Sequence, residues 1–368
     1  MSSIFSSVRD TLYSVTSCCF PNPTLYINRR TFKVIRLLGE GGFSFVYLVQ
    51  DASTSRLFAL KQIRCPFGGA SVKDAMKEVE MYRLFQHDNI IKVIDSCVVP
   101  DKDSSKIVYI FLPYYKNGNL QDAINKNSLE GKNFAEKDML KIFQGICCAV
   151  RVLHNYKLPS VQKKEYEHTN GNALPNGHID NDVLNQTAPT EPQVEEDIVP
   201  FAHRDIKPGN ILMSDDMQTP VLMDFGSLIR ARIKVDNRSN ALEQQELAAE
   251  KSTISYRAPE LFDVKTNVEL NEKVDIWSLG CTLYAMAYGK SPFENNLNEQ
   301  GGSIALAVLN NQYKLPSIES DIYSQEFRNL ISFLLAVDPK DRPSIHQVIE
   351  RVDSLIEQLD PRNNDTNI

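Results

Sequence analysis

The run His203-Arg204-Asp205-Ile206-Lys207-Pro208-Gly209-Asn210, followed fourteen residues later by Asp224-Phe225-Gly226, decides how this chain is read. Within a short stretch that turns back on itself it sets a proton acceptor, a lysine and two hard oxygen ligands of the kind magnesium takes. Phosphoryl transfer to a hydroxyl needs that set of groups, and little else does. Each tripeptide alone is a weak signal. Their order and spacing carry the reading.

Upstream, Gly39-Glu40-Gly41-Gly42-Phe43-Ser44-Phe45-Val46 falls between two predicted strands. Glycines there let the backbone approach phosphate oxygens that side chains would block. Ser44 stands where a G-x-G-x-x-G pattern would place its third glycine. Placement on a hairpin, and not ahead of a helix, speaks against a dinucleotide-binding fold. Fifteen residues past Val46, Phe58-Ala59-Leu60-Lys61 puts a lysine at a strand end, where an ammonium can hold two phosphates. Alone, it would read as a solvated strand-end lysine. A buried lysine needs a counter-charge, and Glu78 and Glu80 on the following helix are both candidates.

The pattern around these residues divides the chain. Residues 33–64 alternate and are rich in Val, Leu, Ile and Phe, which predicts three antiparallel strands. Apolar positions at Val72, Met76, Val79, Met81 and Leu84 predict a helix over 71–86, and two strands follow near 91–99 and 106–112. A five-stranded antiparallel sheet with one helix makes a small lobe, 32–112. Residues 113–118 connect it to a large lobe, 119–357, with helices expected at 119–126, 136–156, 274–289, 303–311 and 325–336 and one after Ser344. The fold class is α+β in two lobes, and the cleft between them is the natural ligand site.

Composition agrees with a globular protein, at 42 % hydrophobic and 24 % charged residues over 368 positions. The net charge of −7 excludes an ordinary nucleic-acid binder, which would be basic. Seven cysteines without a C-x-x-C spacing suit reduced thiols in a cytosolic setting. No run reaches the roughly 18 apolar residues of a spanning helix, and Leu279–Tyr288 reads as a buried core helix. Nor does the amino terminus carry the apolar stretch of a signal peptide. Residues 157–200 are polar and carry eight Asp/Glu against three Lys, a net −5. So polar a segment is read as a disordered surface insertion, with a partner-binding or regulatory role as the sharper alternative. Its added length raises closure entropy by only about 2 kcal/mol.

The ordered series of glycine loop, Lys61, Glu78, HRDxKPxN, DFG, Ala258-Pro259-Glu260, Asp275-Ile276-Trp277-Ser278-Leu279-Gly280 and Arg342 resembles the eukaryotic protein kinases over about residues 33–357. The stretches around Gly39, Val221–Ser227 and Thr253–Glu260 resemble the Numb-associated kinase family. The nearest subgroup is the small acylated serine/threonine kinases that include kinase 16 and a fungal vacuole-membrane kinase. The resemblance implies ATP and Mg²⁺ as cofactors and protein substrates. It implies that Asp205 orients or deprotonates the acceptor hydroxyl, that Lys207 neutralises the transferred phosphoryl, and that Asn210 and Asp224 bind the metal. The nine residues from Glu78 to His87 match the family pattern and select Glu78 over Glu80 as the partner of Lys61. Arg204 beside the base would bind a phosphate on the activation segment, and Glu260 and Arg342 would form a buried structural pair.

Adenine recognition in kinases uses a backbone carbonyl and, two residues on, a backbone N–H. Pro113 and Tyr115 fit, since proline lacks only the donor. ATP would then be lined by Leu38, Gly39, Gly41, Gly42, Ser44, Val46, Ala59, Lys61 and Leu212. Lys207 with Thr253 matches serine/threonine kinases, and a threonine hydroxyl can link the base and the lysine. Residues 240–251 hold strong helix formers behind a capping asparagine, and the family carries an extra helix there.

At the amino terminus, Ile4, Phe5, Val8, Leu12 and Val15 recur at helical spacing ahead of Cys18-Cys19-Phe20. This is a candidate S-acylation pair in a membrane-targeting segment, 1–31; the alternative is a frayed tail with two inert thiols. Arg9, Arg29 and Arg30 would add attraction to anionic lipid. The expectation is a serine/threonine kinase on the cytosolic face of an endomembrane, vacuolar or Golgi, alongside a cytosolic pool. The alternative is a catalytically weak kinase-fold scaffold. Ser239, Ser252, Thr253, Ser255 and Tyr256 are candidate autophosphorylation sites, and a short tail follows from 358.

Overall fold

Between Thr24 and Pro113, alternating strands and one continuous apolar strand build one antiparallel sheet. In the computed structural model, which describes residues 23–41, 44–66, 69–101, 105–157, 198–294 and 303–360, this sheet has six strands. They are β1 (Thr24–Ile27), β2 (Arg30–Glu40), β3 (Ser44–Asp51), β4 (Leu57–Cys65), β5 (Asp95–Pro100) and β6 (Lys106–Pro113), in the order β1-β2-β3-β4-β6-β5. Helix α1 (Gly69–Leu84) crosses between β4 and β5.

The sixth strand corrects the five expected. Residues 24–31, which the sequence assigns to the tail, form β1 and its turn, with Ile27 paired to Arg30 across Asn28-Arg29. Four residues are too few to show a clear alternation, and the turn lacks the glycine that usually marks such hairpins. Ile27 joins Phe32, Val34, Val49, Phe58 and Phe111 in an apolar layer on one face of the sheet. The other face packs α1 through Val79 and Tyr82, with Phe85 just past its end, continuous with the core of the large lobe.

The large lobe runs α2 (Leu120–Leu129), α3 (Glu136–His154), β7 (Phe201–Ala202), β8 (Ile211–Met213), β9 (Pro220–Leu222), β10 (Ile229–Arg230), β11 (Ile233–Val235), α4 (Arg238–Lys251), β12 (Val268–Leu270), α5 (Lys273–Tyr288), α6 (Ile304–Leu309), α7 (Gln325–Leu334) and α8 (Ile345–Gln358). Every residue of α5 from Val274 to Ala287 is buried, so its continuous apolar run belongs to a core helix. A Cβ at Gly280 would stand 2.8 Å from a Leu335 methyl carbon and 2.9 Å from Leu334 Cβ, which is how closely α5 approaches the end of α7. Among the described residues no helix is long and apolar enough to cross a membrane.

The Arg342 guanidinium makes a two-pronged contact with Glu260 at 2.7 Å on each arm and donates to the carbonyls of Ala336, Val337 and Lys273. It ties the end of the activation segment to α5 and to the entry of α8. Residues 1–22, 158–197 and 361–368 lie outside the described residues. With them lie the Cys18-Cys19 pair, nearly all of the acidic insertion and most of the expected tail.

Candidate active site

The hairpin β2–β3 and strand β4 set the roof of the cleft. Register pairs Gly39 with Val46, Val46 with Lys61, and Ala59 with both Leu48 and Leu112. Side chains two apart on a strand share a face, so Ala59 and Lys61 point the same way, and Val46 lies beside Lys61. Ala59, Tyr115 and Leu212 are half-buried against the core shared with the large lobe. Leu38, Val46 and Pro113 are also half-buried, as open lining residues should be. The Gly41 N–H donates to the Ser44 carbonyl at 2.7 Å, closing the glycine turn. Gly42, at its tip, lies outside the described residues. Tyr115 N–H donates to no described group.

Lys61 Nζ stands 2.7 Å from Glu78 Oε1 on α1 and 3.1 Å from Asp224 Oδ1. Glu78 is buried and also receives the Tyr82 hydroxyl at 2.8 Å, whereas Glu80 is exposed. Burial opposes the charge on Lys61, but the two carboxylates outweigh it and raise its pKa. Lys61 in turn holds Asp224 down to about 2, against burial. Asp224 sits at φ +64°, a left-handed conformation for a non-glycine residue, which turns its carboxylate into the cleft. Phe225 behind it is buried and stacks on Tyr82 at 5.0 Å, with Phe85 and His203 at 6.1 and 5.7 Å. One helix, α1, thus supplies both the Lys61 partner and the seat for Phe225.

The Asp205 carboxylate is held by three groups. Its Oδ1 accepts from the Thr253 N–H at 2.8 Å; its Oδ2 accepts from Asn210 Nδ2 at 2.9 Å and faces Lys207 Nζ at 2.8 Å. Lys207 Nζ also donates to Thr253 Oγ1 at 2.6 Å. Asn210 Nδ2 is further tied to the Asp205 carbonyl at 2.8 Å. That leaves Asn210 Oδ1 with no donor among the described residues, an oxygen open to a cation. Asn210 Oδ1 and the Asp224 carboxylate are the hard donors magnesium prefers, and a two-ligand set suits an ion that keeps water and phosphate as its other ligands. Among the described residues no group of three or more His, Cys, Asp or Glu is arranged to hold a metal.

Asp275 fixes this loop from below, a role the motif spacing did not specify. Fully buried on α5, it accepts from the N–H groups of His203 and Arg204 at 2.8 and 2.9 Å and contacts His154 Nε2 at 3.0 Å. Burial alone would raise its pKa, yet hydrogen bonds from His154 and the Arg204 N–H hold the carboxyl below the usual range. The available signal was an acid inside an otherwise apolar run. Ser227 Oγ adds a 2.6 Å bond to the His203 carbonyl.

The extra helix expected at 240–251 is α4, and it starts earlier. Its N-cap is Asn237, whose side chain accepts from the Asn240 N–H. Arg204 does not face an open phosphate site. Its Nη1 donates to Gln244 Oε1 of α4 at 3.1 Å, its Nε is buried without a partner, and burial lowers its pKa to about 10. Of the phosphorylation candidates, Ser239 is exposed. Ser252 is half-buried under Arg257, Thr253 holds Lys207, and Ser255 and Tyr256 are buried.

Comparison with known proteins agrees with this geometry. The family model for a protein kinase domain matches residues 32–159 and 199–352, leaving out the acidic insertion between them. The chain is 37 % identical over 360 residues to serine/threonine-protein kinase ppk13 of Schizosaccharomyces pombe, covering 97 % of this chain and all of that one. It is 37 % identical to serine/threonine-protein kinase ENV7 of Saccharomyces cerevisiae, covering 95 % and 98 %. Human serine/threonine-protein kinase 16 is 34 % identical, covering 92 % and 94 %.

Proposed function

The chain belongs to the serine/threonine protein kinases, and on that premise we propose that it transfers the γ-phosphoryl of Mg·ATP to protein hydroxyls, its own included, from the cytosolic face of an endomembrane. The carrying observation is that both halves of the site are assembled together. Lys61 is locked to Glu78 and Asp224, while Asp205, Lys207 and Thr253 form one closed network. This supports an active enzyme over a kinase-fold scaffold.

The roles follow from the geometry. ATP would enter beneath the glycine turn, its adenine between Leu38, Val46 and Ala59 above and Leu212 below. The Pro113 carbonyl and Tyr115 N–H would read its edge. Lys61 holds phosphate oxygens and is aimed by Glu78. Bound magnesium would supply positive charge to offset that of the phosphates, and Asn210 and Asp224 would hold it. Asp205 takes up or orients the proton of the acceptor hydroxyl, help typically worth about 10²–10⁴ in rate. Lys207 lies beside it to neutralise the transferred group.

The test is mass spectrometry of purified protein incubated with Mg·ATP, comparing wild type with Asp205→Asn. Phosphate should accumulate on the wild type alone; equal incorporation in both removes Asp205 from its role.

For the membrane, adjacent Cys18 and Cys19 on an amphipathic stretch support double S-acylation, and two acyl chains suffice for stable anchoring. A vacuolar or Golgi surface is the proposed location. Cell fractionation of Cys18→Ser/Cys19→Ser tests it: the variant should leave the membrane fraction, and its retention there refutes anchoring through this pair.

A further inference from the structure

The turn that carries Asp224 is held at both ends by one residue, His203. Asp224 stands at φ +64°, in the left-handed region. A non-glycine residue keeps such a conformation only where its surroundings over-determine it. At the start of the turn, the Met223 N–H donates to the Asn210 carbonyl at 2.9 Å. The Met223 carbonyl lies 3.0 Å from His203 Nε2, which must therefore carry the hydrogen, since a carbonyl has none to give. His203 Nδ1 is then the acceptor facing the Asp205 N–H, at 3.3 Å.

At the end of the turn, β7 pairs with β10 through Phe201–Arg230 and Ala202–Ile229. Closer to Asp224 a side chain takes over: Ser227 Oγ donates to the His203 carbonyl at 2.6 Å. Ser227 is 8 % exposed and His203 is fully buried, so water has little access to this bond. Asp224-Phe225-Gly226 is thus bracketed, with Met223 on the imidazole and Ser227 on the carbonyl of the same histidine. His203 is itself anchored from below, where its N–H donates to Asp275 Oδ2.

We infer that Ser227 is a positioning residue for the metal, its hydroxyl closing the bracket that fixes the Asp224 carboxylate relative to Asn210. The inference rests on the metal role proposed above for those two residues. Asn210 is tied through its own carbonyl to the start of the turn, so the turn sets the spacing of the two oxygen ligands. Magnesium demands near-ideal octahedral geometry and tolerates little slack between its ligands. Alanine at 227 removes the hydroxyl alone. The turn then keeps its hold on the imidazole and the packing of Phe225, but its far end is no longer tied to His203.

The test is equilibrium binding of a fluorescent ATP analogue to the full chain, with magnesium and with EDTA in its place. Magnesium should tighten binding to the wild type. A neutral hydrogen bond is worth a factor of about two to ten, so the gain from magnesium should shrink by that factor in Ser227→Ala. Binding in EDTA should not change. Ser227→Cys, similar in shape with a weaker donor, should fall between the two. In peptide phosphorylation by Ser227→Ala, the half-saturating magnesium concentration should rise by the same factor while the KM for peptide holds. A wild type that gains nothing from magnesium refutes the metal role of Asn210 and Asp224, and this inference with it. A wild-type gain that Ser227→Ala and Ser227→Cys both keep in full overturns this inference alone. Equal weakening in EDTA and in magnesium also overturns it, because Ser227 would then support the lobe at large and not the metal ligands.

Discussion

Lys207 Nζ lies 2.6 Å from Thr253 Oγ1, and the N–H of the same threonine lies 2.8 Å from Asp205 Oδ1. One residue of the activation segment therefore positions both the base and the lysine beside it. Removing the hydroxyl in Thr253→Ala leaves the N–H contact to Asp205 but takes one of the two contacts of Lys207, leaving Asp205 Oδ2. A hydrogen bond to a charged group contributes about 1.5–3 kcal/mol, so kcat should fall about ten- to hundred-fold. The KM for ATP should hold, and Thr253→Ser should restore most of the loss. A rise in KM for ATP with kcat intact would place Thr253 in nucleotide binding instead.

Glu78→Gln keeps the shape of α1 and the contact with Tyr82 while removing the charge that aims Lys61. The ammonium then keeps Asp224 as its partner and is drawn toward the group proposed to hold the metal. Losing a charge-assisted contact of this kind should lower kcat/KM for ATP about ten- to hundred-fold. Glu80→Gln, on the exposed side of the same helix, should leave it unchanged. Steady-state kinetics on both variants distinguishes the two acids.

The ion pair between Lys61 and Asp224 gives stability a pH signature. Asp224 is depressed to about 2, so its contribution is fully present above the ordinary carboxylate range. It is lost as pH falls through the depressed value. Lys61 is raised, so its contribution is present below the ordinary lysine value and lost only at more alkaline pH. Denaturant unfolding of wild type and Lys61→Met should differ most near neutrality, with the gap narrowing as pH drops below about 4. Asp224 is 43 % exposed, so the gap will be small. A gap independent of pH would assign the loss to packing.

The buried pair of Arg342 and Glu260 should be the most sensitive contact of the large lobe. Breaking a buried pair from one side leaves an uncompensated charge and costs about 3–5 kcal/mol. Arg342→Ala also frees three carbonyls that the guanidinium serves. Its thermal midpoint should fall further than that of Glu260→Gln, which keeps hydrogen-bonding capacity. Similar midpoints for the two would show that the carbonyl contacts carry little.

What was legible in the sequence was set by local pattern. Alternation gave β2 to β4, a continuous apolar run gave β6, and the motif spacing brought Lys61, Glu78, Asp205, Lys207, Asn210 and Asp224 to one cleft. The spacing of Glu78 from His87 distinguished it from Glu80, and burial follows that choice. What was missed has physical causes. β1 is four residues long and turns through Asn28-Arg29 without glycine, so nothing local separates it from a tail. The cap falls at Asn237 and not at Asn240, because capping is decided by which side chain reaches the free N–H groups. The buried role of Asp275 is a contact between residues about seventy apart, and neither segment announces it alone. Arg204 was expected to await a phosphate. Its pairing with Gln244 depends on where α4 lies, which no motif encodes.

That last contact makes a distinct prediction about the activation segment. Arg204 is buried with its Nε unpartnered, and Gln244 Oε1 accepts from its Nη1 at 3.1 Å. α4 buries only Ala241 and Ala248, and its middle turn is held by Gln244 and by Gln245, whose Oε1 accepts from the Val264 N–H at 3.3 Å. Gln244→Ala removes the acceptor and leaves a buried cation less satisfied, which should loosen both partners. Amide exchange over 238–251 should speed up several-fold, without change in α5 or α8. Gln244→Glu replaces a neutral acceptor by a charged one facing the guanidinium, and charge-assisted bonds are roughly twice as strong. Exchange over the same residues should then slow below wild type. Exchange that is already fast in the wild type would mean α4 is not stably docked, and that Arg204 is free to meet a phosphate after all.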